Sequence, residues 1–184
     1  MKPTQPSKPL FGIDPTAEFV QATIAVLTVS DTRTTSTDTS GTLLATRAEA
    51  MGHKVMSRLI LKDDASLIIQ QLRAWVAQET VDIILITGGT GITARDVTPE
   101  AVLAVIDKEI PGFGEYFRQI SQKTIGLAAM QSRALAGTAG ATLIFALPGS
   151  TGACNDAWEE ILQHQLDSRY KPCNFIELLP RLVE

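Results

Sequence analysis

Three short segments of this chain set small polar residues directly after apolar runs: Ser30-Asp31, Thr87 to Asp96, and Pro148-Gly149-Ser150. The middle one carries the most chemistry. Thr87-Gly88-Gly89-Thr90-Gly91 follows the apolar stretch Val81-Asp82-Ile83-Ile84-Leu85-Ile86. Glycines packed this densely let backbone N–H groups face a bound anion at close range. Glycine clusters also make ordinary tight turns, and it is the position after a buried strand that favours an anion here. A Walker A loop ends in Gly-Lys-Ser or Gly-Lys-Thr, which this chain lacks. Gly89-Thr90-Gly91-Ile92-Thr93-Ala94 fits the looser G-x-G-x-x-A dinucleotide pattern. That pattern belongs at the first strand-to-helix turn, whereas this loop follows the third strand and its helix signal waits until Thr98-Pro99. A nicotinamide dinucleotide is therefore not expected.

Carboxylates accompany the loop. Asp96 stands beside Arg95, and Asp63-Asp64 comes just after the second strand. Acids in such places commonly cap the next helix, whose N-terminus favours negative charge. Beside a phosphate-cradling loop, acids at two such sites could also hold a Mg²⁺ that bridges phosphate oxygens. The spacing alone leaves both open. His53 and His164 have no partner at metal-ligand spacing, so each reads as structural or solvated. Cys154 lies near a helix start without a His or Asn partner, which argues against a nucleophile. Trp75 and Trp158 fall on apolar helix faces and belong to the core.

The elements that must position these residues follow from periodicity. Thr23 to Val29 is a β-branched first strand, and a long polar loop through Asp38-Thr39-Ser40-Gly41 leads to a helix from about Thr42 to Met51, closed by Gly52. His53 to Leu61 reads as the second strand. The next helix puts Ile68, Leu72, Trp75 and Val76 on one face. Val81 to Ile86 is a strand buried on both sides. Thr98-Pro99 starts a helix, Ile110 to Gly114 breaks it, and another runs from Glu115 to Ser121. Ala134 to Ala146 reads as a hairpin. A helix with Trp158, Ile161, Leu162 and Leu166 on one face comes after Pro148-Gly149-Ser150, and a short one lies between Asn174 and Leu182. Strands alternating with helices imply a three-layer α/β sandwich whose central sheet is mostly parallel, with a small β-hairpin.

Composition limits what such a domain does. At 184 residues it is one domain, and 45% hydrophobic with 20% charged residues excludes a largely disordered chain. A net charge of −4 argues against nucleic-acid binding by charge. No apolar run approaches a membrane span of roughly 18 residues. Two cysteines make no disulfide framework. Residues 1–19 carry Pro3, Pro6, Pro9 and Pro15 and no apolar signal segment, so they read as a flexible tail adding little to the core. The single domain is expected over 20–184, in a cytoplasmic protein.

Several blocks together resemble one family. They are Leu27-Thr28-Val29-Ser30-Asp31, Asp38-Thr39-Ser40-Gly41, the glycine loop with Arg95-Asp96-Val97-Thr98-Pro99-Glu100, Pro111-Gly112-Phe113-Gly114-Glu115, Gln131-Ser132-Arg133 and Leu147-Pro148-Gly149-Ser150. In this order they resemble the molybdenum-cofactor biosynthesis proteins of the MoaB/MogA family, to which domains of gephyrin and its plant counterpart are related. Arg169-Tyr170-Lys171-Pro172-Cys173-Asn174-Phe175 looks like the MoaB branch. The resemblance implies binding of molybdopterin, a pterin with a dithiolene and a terminal phosphate. It also implies transfer of AMP from Mg-ATP onto that phosphate, with release of pyrophosphate. By the same resemblance Asp96 and Asp63 are the catalytic, Mg²⁺-holding acids, and Gly88, Gly89, Thr90 and Gly91 hold phosphate. Ser30, Asp31, Ser40, Thr87, Pro148, Gly149 and Ser150 complete the pocket. Partners implied are a homo-oligomer, trimer or hexamer, and a downstream molybdate-inserting protein. Some MoaB-branch members lack the two acids, so a non-catalytic molybdopterin carrier is the competing reading. Retention of Asp63 and Asp96 favours the enzyme.

Overall fold

The structure is a computed structural model that describes residues 10–184. Its centre is a six-stranded sheet in the order β3-β2-β4-β7-β6-β5. β2 (Thr23–Val29), β3 (Lys54–Leu61), β4 (Ile83–Thr87) and β7 (Thr142–Leu147) run parallel. β6 (Leu135–Ala139) is antiparallel to β7 and to the short edge strand β5 (Lys108–Glu109). The expected hairpin is thus β6–β7, built into the main sheet.

Alternation along the central strands makes the three layers. Ile24, Val26, Ile83, Leu85, Leu143 and Phe145 face one side, with Leu44, Phe113, Phe117, Trp158 and Leu162. These come from α1 (Thr39–Met51), α4 (Pro111–Ile125) and the helical turns 158–165 that continue α5 (Thr151–Ala157), which itself adds Cys154 and Ala157. Ala25, Leu27, Ile84, Ile86 and Ile144 face the other side, against Ile68, Leu72 and Trp75 of α2 (Ala65–Val76) and Ala101 and Val102 of α3 (Thr98–Leu103). A strand covered on both faces needs apolar residues at every position, and all five of β4 are buried. No helix among the described residues is long and apolar enough to cross a membrane.

Two helix starts differ from expectation. α1 begins at Thr39 because the Asp38 carboxylate accepts from Gly41 N at 2.9 Å and caps it. Ile110 to Gly114 does not separate two helices; Pro111 opens α4, where a missing N–H is harmless.

The largest departure concerns the expected tail. Residues 1–9 lie outside the described residues, but 10–19 are docked. β1 (Gly12–Ile13) pairs antiparallel with β8 (Tyr170–Lys171), and Asp14 N donates to Arg169 O at 2.9 Å. Ser168 Oγ donates to Glu18 O at 2.9 Å and accepts from Val20 N at 2.8 Å. The Phe19 ring lies 5.1 Å from His53 and 5.3 Å from the Arg169 guanidinium. His53 is buried, its Nδ1 accepts from Ala22 N at 3.1 Å, and burial lowers its pKa. A two-residue strand has no readable period, so its pairing depends wholly on a partner some 158 positions away.

These ladder bonds and ring contacts together are worth about 1–2 kcal/mol. A chain beginning at residue 20 should therefore melt roughly 2–8 °C below one beginning at residue 10, since 1 kcal/mol moves a domain of this size by about 2–4 °C. Calorimetry on the two chains measures this, and equal melting temperatures would disprove the docking.

Candidate functional site

β2, β4 and β7 lie side by side and end level, Thr28 opposite Thr87 and Thr87 opposite Leu147. Their following loops consequently leave from one edge. Gly88 N donates to Leu147 O at 3.0 Å, so the glycine loop starts pressed between its two neighbours. Gly88 and Gly89 adopt φ of 106° and 64°, the left-handed region. A Cβ on Gly88 would run into the Val29 carbonyl oxygen, and one on Gly89 into Thr98 Oγ1, with Asp63 Oδ1 3.1 Å away. The buried Thr98 then ties the loop to α3: its Oγ1 donates to Gly88 O at 2.8 Å and its N to Gly89 O at 3.0 Å. The third loop is equally near, since a Cβ on Gly149 would stand 3.2 Å from Gly88 Cα.

Arg133 fastens the rest of the loop. Its Nε donates to Gly91 O and its Nη2 to Asp96 O, both at 2.6 Å, while Nη1 pairs with Glu100. Its backbone N donates to Thr90 O at 2.9 Å. Nothing in its spacing marked Arg133 for this role; its only signal was membership of a resembling block. Asp96 works from inside the loop. Its Oδ2 accepts from Thr93 Oγ1 at 2.6 Å and Thr93 N at 2.8 Å. The Thr93 bonds, with help from Gly91 N–H and Arg133, hold its carboxyl below the usual range.

The neighbouring acids have separable roles. Asp64 caps α2, accepting from Ser66 N at 2.8 Å and Leu67 N at 3.2 Å. Asp63 is left facing the loops. Burial raises its pKa, the charge of Asp31 raises it further, and Arg95 and the Asp31 N–H oppose the rise. Asp31, at the end of β2, is ion-paired with Arg95 of the glycine loop. One mouth thus gathers Asp31, Asp63, Asp96 and Arg95.

Other expected residues serve the frame. Thr87 is fully buried, donating to Pro148 O at 2.9 Å and lying 3.2 Å from Cys154 Sγ. Burial pushes the Cys154 thiol up to about 11, consistent with an inert core cysteine. Ser150 caps α5 by accepting from Ala153 N at 3.2 Å. Ser30 Oγ turns the β2 loop, accepting from Thr32 N at 3.2 Å and Arg33 N at 3.1 Å. Ser40 and Thr90 are buried. Thr39 and Thr151 hydroxyls, 2.7 Å apart, join the starts of α1 and α5, beside a cavity of about 450 Å³ that Asp38, Thr42 and Arg47 also line. Two capped helix N-termini and a glycine loop at one edge suit an anionic ligand.

Over residues 25–168 the chain matches the sequence family described as "Probable molybdopterin binding domain". The chain belongs to that molybdopterin-binding family. It is 51% identical over 158 residues to the molybdenum cofactor biosynthesis protein B of Escherichia coli K12, covering 86% of this chain and 93% of the relative. It is likewise 51% identical to the Bacillus cereus protein of that name over 142 residues, 77% of this chain and 84% of the relative. A crystal structure of a molybdenum cofactor biosynthesis protein B superposes with a TM-score of 0.80 at 44% identity, covering 89% of this chain and 96% of the other. The tungsten cofactor synthesizing protein MoaB of Pyrococcus furiosus gives 0.73 at 30% identity, covering 89% and 98%. The three-layer fold and the family are as the sequence led one to expect.

The packing of the glycine loop carries two predictions. Gly88→Ala should cost at least about 2 kcal/mol, because strain at positive φ adds to a clash with backbone. Gly112→Ala, at the start of α4 with open space around its Cβ, should be neutral or slightly stabilising in the same melts. Equal losses at the two sites would refute the packing account.

The acids should respond to pH in opposite directions. Asp96, with a depressed pKa, contributes stability above the ordinary carboxylate range that is lost as pH falls through its folded value. Asp63, with a raised pKa, weakens the fold as it ionises. Asp63→Asn should thus melt at or above the parent at pH 7, and the gap should close towards about pH 4. Asp96→Asn should melt below the parent at pH 7 and converge with it in acid. Melting curves across pH that show the same sign for both would contradict this assignment.

Proposed function

We propose that this chain acts in molybdenum cofactor biosynthesis by binding molybdopterin and adenylylating its terminal phosphate with Mg-ATP. The observation that carries the reading is the mouth where Asp63, freed from helix capping by Asp64, faces a glycine loop anchored by Thr98 and Arg133. The family and the names of the relatives support the ligand.

In this reading an oxygen of the molybdopterin phosphate attacks the α-phosphorus of ATP. The bond to the β-phosphate oxygen breaks, and pyrophosphate leaves. Such transfers depend on positioning and charge neutralisation more than on covalent help from the protein. With the Gly88 N–H given to Leu147 O and that of Gly91 to the Asp96 carboxylate, the backbone N–H groups of Gly89 and Thr90 are the ones that hold phosphate oxygens, while Ser30, Asp31 and the loop Pro148 to Ser150 border the pocket. Thr87, Thr90 and Ser40 shape it from behind.

The residues fit a Mg²⁺. Hard carboxylate oxygens are the ligands it takes, and it keeps waters and phosphate oxygens around one or two of them. Among the described residues no three metal-binding side chains are placed to hold a metal together, so substrate oxygens and waters would have to complete its shell. Like charges on Asp31 and Asp96 act on Asp63, which a divalent cation relieves. Asp63 and Asp96 would hold it, and when bound it neutralises charge developing on the phosphates.

We also infer a symmetric homo-oligomer, a trimer or hexamer, in the cytoplasm, handing its product to a molybdate-inserting protein. Ile125 at the end of α4 and Leu127 and Met130 in the turn after it are exposed apolar side chains that suit a subunit contact. Light scattering that returned a mass near 20 kDa would refute assembly.

The decisive assay incubates pure protein with molybdopterin and Mg-ATP and measures adenylylated pterin and pyrophosphate. Turnover is expected, and Asp63→Asn should slow it by on the order of 10²–10³-fold while molybdopterin still binds. Pterin binding without any adenylate from the parent protein would establish the carrier reading instead.

A further inference from the structure

Arg95 is held differently from the other arginines around the loops. Arg133 is fastened to the carbonyls of Gly91 and Asp96, and Arg58 donates to Thr42 Oγ1 at 2.8 Å. Arg33 donates to Thr37 O at 2.6 Å. Arg95 has, among the described residues, a single partner, the Asp31 carboxylate on the opposite loop. Its side chain is 67% exposed and that of Asp31 36%. An exposed pair of this kind contributes little to stability, so releasing it costs the fold almost nothing. Arg95 nonetheless stands where the positive charge is needed: Asp31 and Asp63 adjoin it, and among the described residues no lysine or second arginine pairs with either.

We propose that Arg95 is an exchangeable counter-ion: paired with Asp31 and acting by its charge on the adjoining Asp63, it gives way when Mg²⁺ is held by Asp63 and Asp96, and moves its guanidinium onto the nucleotide polyphosphate. This rests on the reading that the site takes a magnesium nucleotide. Two physical facts make the exchange favourable. A divalent cation neutralises the carboxylates better than one singly charged guanidinium, and a planar guanidinium matches phosphate oxygens two at a time. Arg95 then does two jobs in sequence. It keeps the acids from repelling each other while the site is empty, and it binds phosphate once the metal has taken its place.

The exchange makes opposite predictions for metal and nucleotide. Mn²⁺ serves as the spectroscopic stand-in for Mg²⁺ and is titrated alone into the full chain. Arg95→Gln should bind it about fivefold more tightly, because a competing charge is gone. The same variant should bind an ATP analogue with a methylene between the α- and β-phosphorus about tenfold or more weakly in Mg²⁺. Arg95→Lys keeps the charge without the fork, so its Mn²⁺ affinity should stay near the parent and its nucleotide affinity fall between. Both variants change an exposed side chain, and their melting temperatures should stay within about 2 °C of the parent. Unchanged or weaker Mn²⁺ binding by Arg95→Gln would overturn the exchange, as would unchanged nucleotide binding, provided the parent binds both. A parent protein that binds neither would overturn the functional reading itself, and this inference with it.

Discussion

The approach of Gly88 to the Val29 carbonyl is the constraint from which the rest of the site follows. β2 and β4 must end level and close for their loops to share one edge, and only a residue without a Cβ lets the chain turn there. Because Gly88 N is used by Leu147 O, the third loop is drawn to the same place. The two neighbouring strands are buried on both faces, so neither can move away without opening the core. The glycines therefore serve packing, whatever the loop holds, and a tight turn leaves an anion-binding role open to the same residues.

Once the loop is pinned, charge organises it. Arg133 spends its guanidinium on two loop carbonyls and on Glu100, which stiffens the loop, and its charge also helps keep Asp96 ionised. Asp96 is satisfied within the loop, Asp64 at a helix start, and Asp63 by neither. That division leaves one acid with a raised pKa beside the glycine loop, a pattern common at functional sites. Burial of Thr87 and Cys154 beneath the loop keeps the floor apolar and unreactive.

Much of this was legible in the residues. The strand order along the chain, the helix faces bearing Ile68, Leu72 and Trp75 or Trp158 and Leu162, and the Gly52 cap all follow from neighbours within about four positions. The glycine loop declared itself by sitting after an apolar run. Less visible were caps hidden among many polar residues: in the Thr- and Ser-rich stretch before α1, only coordinates show that Asp38 takes Gly41 N. Likewise Asp63 and Asp64 are indistinguishable as letters, and the direction of one side chain separates them.

By itself, then, the sequence determined the alternation of strands and helices, the buried sheet and the identity of the loop, because local periods and turn chemistry act over a few residues. Tertiary structure alone decided which distant residues meet. Arg133 lies 42 positions from Gly91, Arg95 lies 64 from Asp31, and β1 finds β8 near the other end of the chain. The loop pairs are brought together by the sheet order β3-β2-β4-β7-β6-β5, which places strands distant in sequence side by side, while β1 and β8 meet in a separate two-stranded sheet. No local pattern records that order, since it is set by which apolar faces pack together across the whole domain.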